Sequence, residues 1–300
     1  MKKSTNIDSE SAFDNNNNYD INITEKDRKC APGIVFDGIS CMSLKVIIDA
    51  VKSYNMESTG NKIQLYDNFE MANPTKYKKY LMYKLKKNII NEEDQAALID
   101  KSFTKHMKES NKITLEKYTF RPKSPKGKFT WLNTTNINEV MDQYERKYKD
   151  FKFLGAVPID FDDLPLLGIS TINFQKLKMQ GKTKLGFIFN LDKHNQPGSH
   201  WVALFVDLNK GWAAYYDSFS SAPSEEIRKL IRRIERYLKS IGKRGTYDYN
   251  KLVHQTDSYN CGVYSIDFIL KMVKGVDFND ILTRRVTKQE MDKARQEYFL

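Results

Sequence analysis

Hydrophobic positions recur along this chain with two different periods, and the change of period divides it. From Ser43 on, Leu44, Val46, Ile47, Ile48 and Val51 fall at helical spacing, which predicts a short amphipathic helix ending near Tyr54-Asn55. After the turn signal Asn73-Pro74 the same spacing returns in Tyr77, Tyr80, Leu81, Tyr83 and Leu85, and a further helix is expected over Ala96 to Met107. Residues 29–125 therefore read as a helical accessory region with its linker, the basic, Pro-containing stretch Arg121 to Lys128. Residues 1–28 contain Asn15 to Asn18 and almost no clustered apolar side chains, so they read as a disordered tail that cannot offset the entropy of ordering.

From residue 126 to residue 300 both periods occur. Ile137, Val140, Met141 and Tyr144 share a helical face, whereas Phe153 to Val157, Leu185 to Phe189 and Trp201 to Val206 are continuous apolar runs of strand length. Trp212 to Tyr216 follows across Asn209-Lys210-Gly211 and makes a hairpin with the run before it. Ala222-Pro223 opens a helix with Glu225 and Glu226 in its first turn. Ile227, Leu230, Ile231, Ile234, Leu238 and Ile241 form its buried stripe, and its arginines face water. Gly262 to Val273 is apolar almost all round, which puts that helix in the domain centre. Arg284 to Tyr298 reads as a charged, exposed helix. The fold class is α+β, a central β-sheet packed on a buried helix and preceded by a helical N-terminal region.

Composition narrows the picture. At 300 residues and 40% hydrophobic content the chain can bury a sizeable core. No apolar run approaches the roughly 20 residues that span a bilayer. Met1-Lys2-Lys3-Ser4 leads into acidic, Asn-rich sequence rather than an apolar signal segment, so a soluble protein made in a reducing compartment is expected. Cys30, Cys41 and Cys261 form an odd set without a CxxC pair, which suggests neither a disulfide framework nor a zinc site. Cys30 and Cys41 read as small core residues, and no metal or cofactor is expected. The net charge of +11 is spread over Lys76 to Lys87, Lys123 to Lys128, Arg146 to Lys152 and Arg228 to Arg244. It fits a solvated surface, or a nonspecific attraction to nucleic acid.

The chemistry gathers in the second half. Cys261 heads the apolar helix, where unpaired backbone amides and the helix dipole favour a thiolate. Gln255, six positions earlier, is an uncharged donor suited to an oxyanion, beside the Cys261 amide. His200 stands at the start of a strand and supplies a base; Asp217 ends the next strand and supplies the carboxylate that fixes its tautomer. Gly262 is expected to let a substrate backbone approach. Each residue has a plainer reading: a cysteine in an apolar helix is more often packing, His200 a surface residue, and Asp217 to Ser220 a turn. The order His, Asp, Gln, Cys at compact spacing favours thiol-dependent acyl transfer. His106, His194 and His254 read as structural or solvent-facing.

His200-Trp201, Asp217-Ser218, Gln255 and Asn260-Cys261-Gly262-Val263-Tyr264 resemble the catalytic core of the SUMO-specific and adenovirus-type cysteine proteases. Trp131-Leu132-Asn133 is similar to the motif that opens the SUMO-protease domain. By that resemblance Trp131 and Trp201 roof a narrow tunnel that admits a Gly-Gly tail. Phe153 to Phe161 and Asn190 to Trp201 resemble the maturation-type proteases of large DNA viruses: thiol proteases of amoeba-infecting giant viruses and, more distantly, the African swine fever virus polyprotein protease. The resemblance is strong over 129–275 and weaker over 29–125. It departs at Thr134, where SUMO proteases usually carry an Asp that helps contact the ubiquitin-like partner.

The resemblance implies a cysteine endopeptidase without a cofactor, with His200, Asp217, Gln255 and Cys261 catalytic and Trp131 and Trp201 binding substrate. It also implies cleavage of viral precursor polypeptides after Gly-Gly-type sites during virion maturation, in the virion and in the host cytoplasm. Two rival readings are an isopeptidase acting on ubiquitin-like conjugates and a non-catalytic basic binding protein of the virion.

Overall fold

The computed structural model describes residues 19–66, 73–90, 93–127 and 129–300. Two compact units result. One takes in the described residues up to Cys30 together with Ile34–Phe120; the other takes in Ala31–Gly33 and Arg121–Leu300.

In the first unit, α1 (Leu44–Glu57) starts where Ser43 accepts from the Val46 N–H, and α2 (Pro74–Leu85) where Asn73 accepts from the Lys76 N–H. The helix expected over Ala96 to Met107 is instead two 3-10 segments, Gln95–Asp100 and Ser102–His106, because Lys101 between them is extended. A third α-helix, α3 (Glu109–Tyr118), buries little beyond Leu115, so periodicity did not reveal it.

Two further expectations fail here. Asn15 to Asn18 lie outside the described residues, but residues 19–28 are packed rather than disordered. Tyr19 stacks edge-on against Tyr80 at 5.3 Å, and fully buried Asp27 pairs with Lys86 at 2.7 Å and accepts the Gln95 N–H at 2.5 Å. One aromatic ring and one buried ion pair supply the order that an apolar count could not foresee. Cys30 and Cys41 are not free core residues either. They are 11 positions apart, their Cα atoms stand 5.3 Å apart, and they form a disulfide.

In the second unit, Arg121, expected in a linker, donates to the Tyr144 hydroxyl, and the Pro122 carbonyl accepts the Leu300 N–H. After α4 (Thr134–Lys147) come β1 (Phe151–Pro158), α5 (Phe174–Met179), β2 (Lys184–Asn190), β3 (Trp201–Asp207) and β4 (Trp212–Tyr216). There follow α6 (Glu225–Ser240), β5 (Thr246–Tyr249), α7 (Cys261–Val273), α8 (Phe278–Thr283) and α9 (Lys288–Tyr298). The strands lie in sequence order, parallel at β1–β2 and β4–β5 and antiparallel at β2–β3 and β3–β4.

Side-chain alternation sorts the sheet into two cores. Trp201, Ala203 and Phe205 of β3 join the core that contains α7, while Val202, Leu204 and Val206 join the core beneath α6. Both faces are covered, which is why the strands read as unbroken apolar runs. Gly186 on β2 suits that packing: a Cβ there would meet Ile269 of α7 and the Phe151 ring at 3.0 Å, so those side chains would have to give way. The last helix is not an exposed one. Met291, Ala294, Arg295 and Tyr298 of α9 are buried. No helix among the described residues is long and apolar enough to cross a membrane.

Candidate active site

Antiparallel pairing of β3 with β4 brings the start of one strand beside the end of the other. His200 precedes β3 and Asp217 follows β4, so the hairpin places them together, with His200 Nε2 2.6 Å from Asp217 Oδ1. Cys261 stands near enough to the ring to raise its proton affinity alongside Asp217. Cys261 itself is the first residue of α7 and is buried. As the first helical residue, it has a backbone N–H with no acceptor inside the helix.

Burial by itself would push the His200 imidazole down. Hydrogen bonds and charge from Asp217 and Cys261 outweigh that and raise it to about 9. For Asp217, burial pulls upward, but the bonds from His200 and the Phe219 N–H hold the carboxyl below its ordinary value. The Phe219 ring lies 4.9 Å from the imidazole, centre to centre, on the face of this pair.

Gln255 is buried and fastened on both sides. Its Oε1 accepts from the Ser218 hydroxyl at 2.6 Å, and its Nε2 donates to the Asp257 carbonyl at 2.8 Å. The Asp257 carbonyl can only accept, so this fixes which end of the carboxamide is nitrogen. Nε2 also stands 3.3 Å from Asp257 Oδ1, so the expected oxyanion donor is drawn on twice by its own loop. The Gln255 and His254 N–H groups both donate to the Ser218 carbonyl, which ties the loop before α7 to the Asp217 turn.

Several residues that sequence reasoning missed hold this arrangement. Fully buried Asn250 clamps the Asp217 backbone, accepting its N–H at 2.9 Å and donating to its carbonyl at 2.7 Å. Asp257 Oδ1 accepts from the Tyr259 and Asn260 N–H groups at 2.9 and 2.8 Å, shaping the turn that presents Cys261. Asn260 Nδ2 reaches Asp292 of α9 at 3.0 Å. An Asp four positions before the nucleophile in a polar turn was a readable signal. Asn250, 33 residues from its partner, left none.

Trp131 and Trp201 line one groove of about 320 Å³ with Pro158, Asp192, His194 and Gln196, but they differ in kind. Trp131 is 44% exposed, whereas Trp201 is 4% exposed and donates its indole N–H to the Leu132 carbonyl at 2.8 Å. Leu132 also corrects the expectation for Gly262: a Cβ there would meet Leu132 Cβ at 3.1 Å, so the glycine admits a core side chain rather than a substrate backbone. The other histidines stand apart from this chemistry. His106 contacts Glu57 and His194 contacts Asp160, while buried His254 accepts the Val286 N–H. No cluster of three or more His, Cys, Asp or Glu suited to a metal occurs among the described residues.

Residues 172–300 match the model of the Ulp1 protease family, C-terminal catalytic domain. A candidate thiol protease of Acanthamoeba polyphaga mimivirus is 34% identical over 268 residues, covering 87% of this chain and 89% of that protein. A cysteine protease of African swine fever virus is 24% identical over 196 residues, 60% of this chain and 71% of that one. The fold is similar to a crystal structure of the African swine fever virus protease, with a TM-score of 0.62 at 20% identity over 93% of this chain and 97% of that one. With His200 held against Asp217 and 34% identity across most of both chains, this chain belongs to the Ulp1 protease family and is a cysteine protease.

Proposed function

We propose that the chain is an endopeptidase in which Cys261 attacks, His200 carries the proton and Asp217 orients and stabilises the imidazolium. The observation that carries this reading is the His200 ring, held 2.6 Å from the Asp217 carboxylate, with its proton affinity raised by Asp217 and by the neighbouring Cys261. His200, whose raised proton affinity keeps the proton on the ring, leaves the sulfur as thiolate, and that sulfur bonds to the scissile carbonyl carbon. The oxyanion is met by the Cys261 backbone N–H and by Gln255 Nε2, for which it competes with the Asp257 carboxylate 3.3 Å away, the shorter 2.8 Å bond to the Asp257 carbonyl being kept. Collapse breaks the C–N bond as His200 returns the proton to the leaving amine. Water, deprotonated by His200, then releases the acyl group and restores the thiol.

The substrate we propose is a viral structural precursor cut after a Gly-Gly-type site during virion maturation, in the virion or at cytoplasmic assembly sites. Support comes from the viral origin of the mimivirus and swine fever virus relatives and from the groove beside Trp131 and Trp201. Peptides with Gly-Gly before the bond, compared with Leu or Phe there, test it. Cleavage confined to Gly-Gly peptides and lost in Cys261→Ala is the expected result.

Cleavage of ubiquitin-like conjugates is the second reading, because a swine fever virus relative, 25% identical, bears the name SUMO-1 cysteine protease. Thr134 stands against it at the position where that activity usually has Asp. A SUMO vinyl sulfone probe separates the two: labelling of Cys261 at rates typical of a deconjugating enzyme would favour the conjugate reading.

A further inference from the structure

The helix α6 has a second face with no role in the site above. Ile227, Leu230, Ile231, Ile234 and Leu238 are buried in the sheet core. Lys229, Arg232, Arg233, Arg236 and Lys239, at spacings of three and four, share the opposite side. Those five cations line a surface groove of about 520 Å³, in which the only carboxylates are Asp162 and Glu235. Asp162 is taken by Arg233 at 3.0 Å, and the same guanidinium lies 3.4 Å from the Ile169 carbonyl, making a fixed wall. Glu225, at the head of the helix, is taken by Arg228 and Arg232. Among the described residues no carboxylate pairs with Lys229, Arg236 or Lys239.

We propose that this groove binds the phosphate backbone of nucleic acid without regard to sequence. Three arguments select that partner. Guanidinium groups offer planar pairs of donors that match phosphate oxygens, and Arg236, the one of the three groove arginines that no carboxylate holds among the described residues, presents such a group between Lys229 and Lys239. No aliphatic or aromatic residue lines the groove, so a folded protein would find no apolar anchor there. A backbone that stays hydrated and gains by counterion release needs none. Lys229 and Arg236, like Arg232 and Lys239, are seven residues apart, about 10 Å along the helix, room for several successive phosphates. Without an aromatic platform, bases have nothing to stack on, so base identity is not read. Because α6 and α7 cover opposite faces of the sheet, a nucleic acid held here leaves the Cys261 side open and confines the protease to nucleoprotein surroundings.

The test is fluorescence anisotropy of the full chain with a labelled random-sequence DNA duplex across a salt series. Three to four phosphate contacts give a log–log salt slope of about −3 to −4. The triple variant Lys229→Gln, Arg236→Gln, Lys239→Gln is expected to weaken binding at least about tenfold near 0.1 M salt and to flatten the slope to about −1. A control triple, Lys45→Gln, Lys52→Gln, Lys62→Gln, removes the same charge from exposed positions elsewhere and is expected to bind within about twofold of the parent. Equal losses in the two triples would overturn the proposal, since affinity would then follow net charge alone. So would displacement of the DNA by polyglutamate as effectively as by unlabelled DNA at equal charge. Peptide cleavage by the groove triple at the parent's kcat/KM shows that it is folded, whatever the outcome for the substrate proposed above.

Discussion

Ser265 donates its hydroxyl to the carbonyl of Trp201 at 3.2 Å, and through that bond the helix begun by Cys261 is registered against the strand that follows His200. Ser265 lies four residues after Cys261, on the same face of α7, and Trp201 directly follows His200. A buried polar contact thus joins two apolar elements, one begun by Cys261 and the other preceded by His200.

Ser265→Ala is therefore expected to cost about 1 kcal/mol of stability and to leave the Trp201 carbonyl short of a donor. The larger effect falls on catalysis, because small misplacements of reacting groups are costly: kcat should drop about 10- to 100-fold with little change in KM. Steady-state kinetics with a thermal melt separate the two. A kcat equal to that of the parent would show that packing alone holds the register.

Asn250 tests the other half of the site. Asn250→Asp keeps the shape and the acceptor but loses the donor to the Asp217 and Leu252 carbonyls, and it adds a charge beside Asp217. Activity should fall by at least about tenfold and stability by about 2 kcal/mol. If Asn250→Asp matched the parent, the clamp would have no part in placing the carboxylate.

For Gln255, alanine and glutamate variants are expected to diverge from a purely steric outcome. Gln255→Ala should lower kcat by about 10²–10³-fold by removing a donor. Gln255→Glu is nearly isosteric, yet it sets an acceptor against the Asp257 carbonyl and should be at least as inactive and less stable than Gln255→Ala. Recovery of activity in the glutamate variant would dismiss the donor role.

In the N-terminal unit, Asp27 and Lys86 form a buried pair. Removing one partner strands the other, so Asp27→Ala should destabilise the protein by about 3–5 kcal/mol. The double variant Asp27→Asn, Lys86→Met, which keeps an acceptor for the Gln95 N–H, should recover much of that loss, read from denaturant midpoints. Additive losses in the double variant would mean that the pair is not the source of the penalty.

Stability should form a dome against pH. His200, raised to about 9, contributes fully below the ordinary histidine value near 6.5 and loses its contribution as pH climbs from there to 9. His254 is pushed down to about 4 by burial, so its contribution is intact above 6.5 and is lost as pH falls toward 4. Asp217, held low, adds to the acid limb below its ordinary value of 3.8. Chemical denaturation across pH checks this. His200→Gln should flatten the alkaline limb only, and His254→Gln the limb between 6.5 and 4 only.

By itself, the sequence determined most of the second unit. The unbroken apolar runs became β2 and β3, the amphipathic stripe became α6, and the run after Cys261 became the central helix, because burial on two faces, on one stripe or all round writes a distinct pattern. The order of His200, Asp217, Gln255 and Cys261 was legible for a related reason: His200, Asp217 and Cys261 stand at strand and helix ends, which periodicity marks. Where apolar residues are sparse, that signal fades, and β5 (with three of its four residues exposed), α3 and α5 passed unnoticed. Tertiary structure alone decided the rest. The Cys30–Cys41 disulfide, the Asp27–Lys86 pair and the buried side of α9 depend on partners distant in the chain or on a three-dimensional fold that no spacing encodes. The same holds for the hydrogen bonds that aim the site. Whether Gly262 faces a substrate or Leu132, and whether the Gln255 nitrogen is free or bound to Asp257, is set by which surfaces pack together, and only the folded chain brings those surfaces into contact.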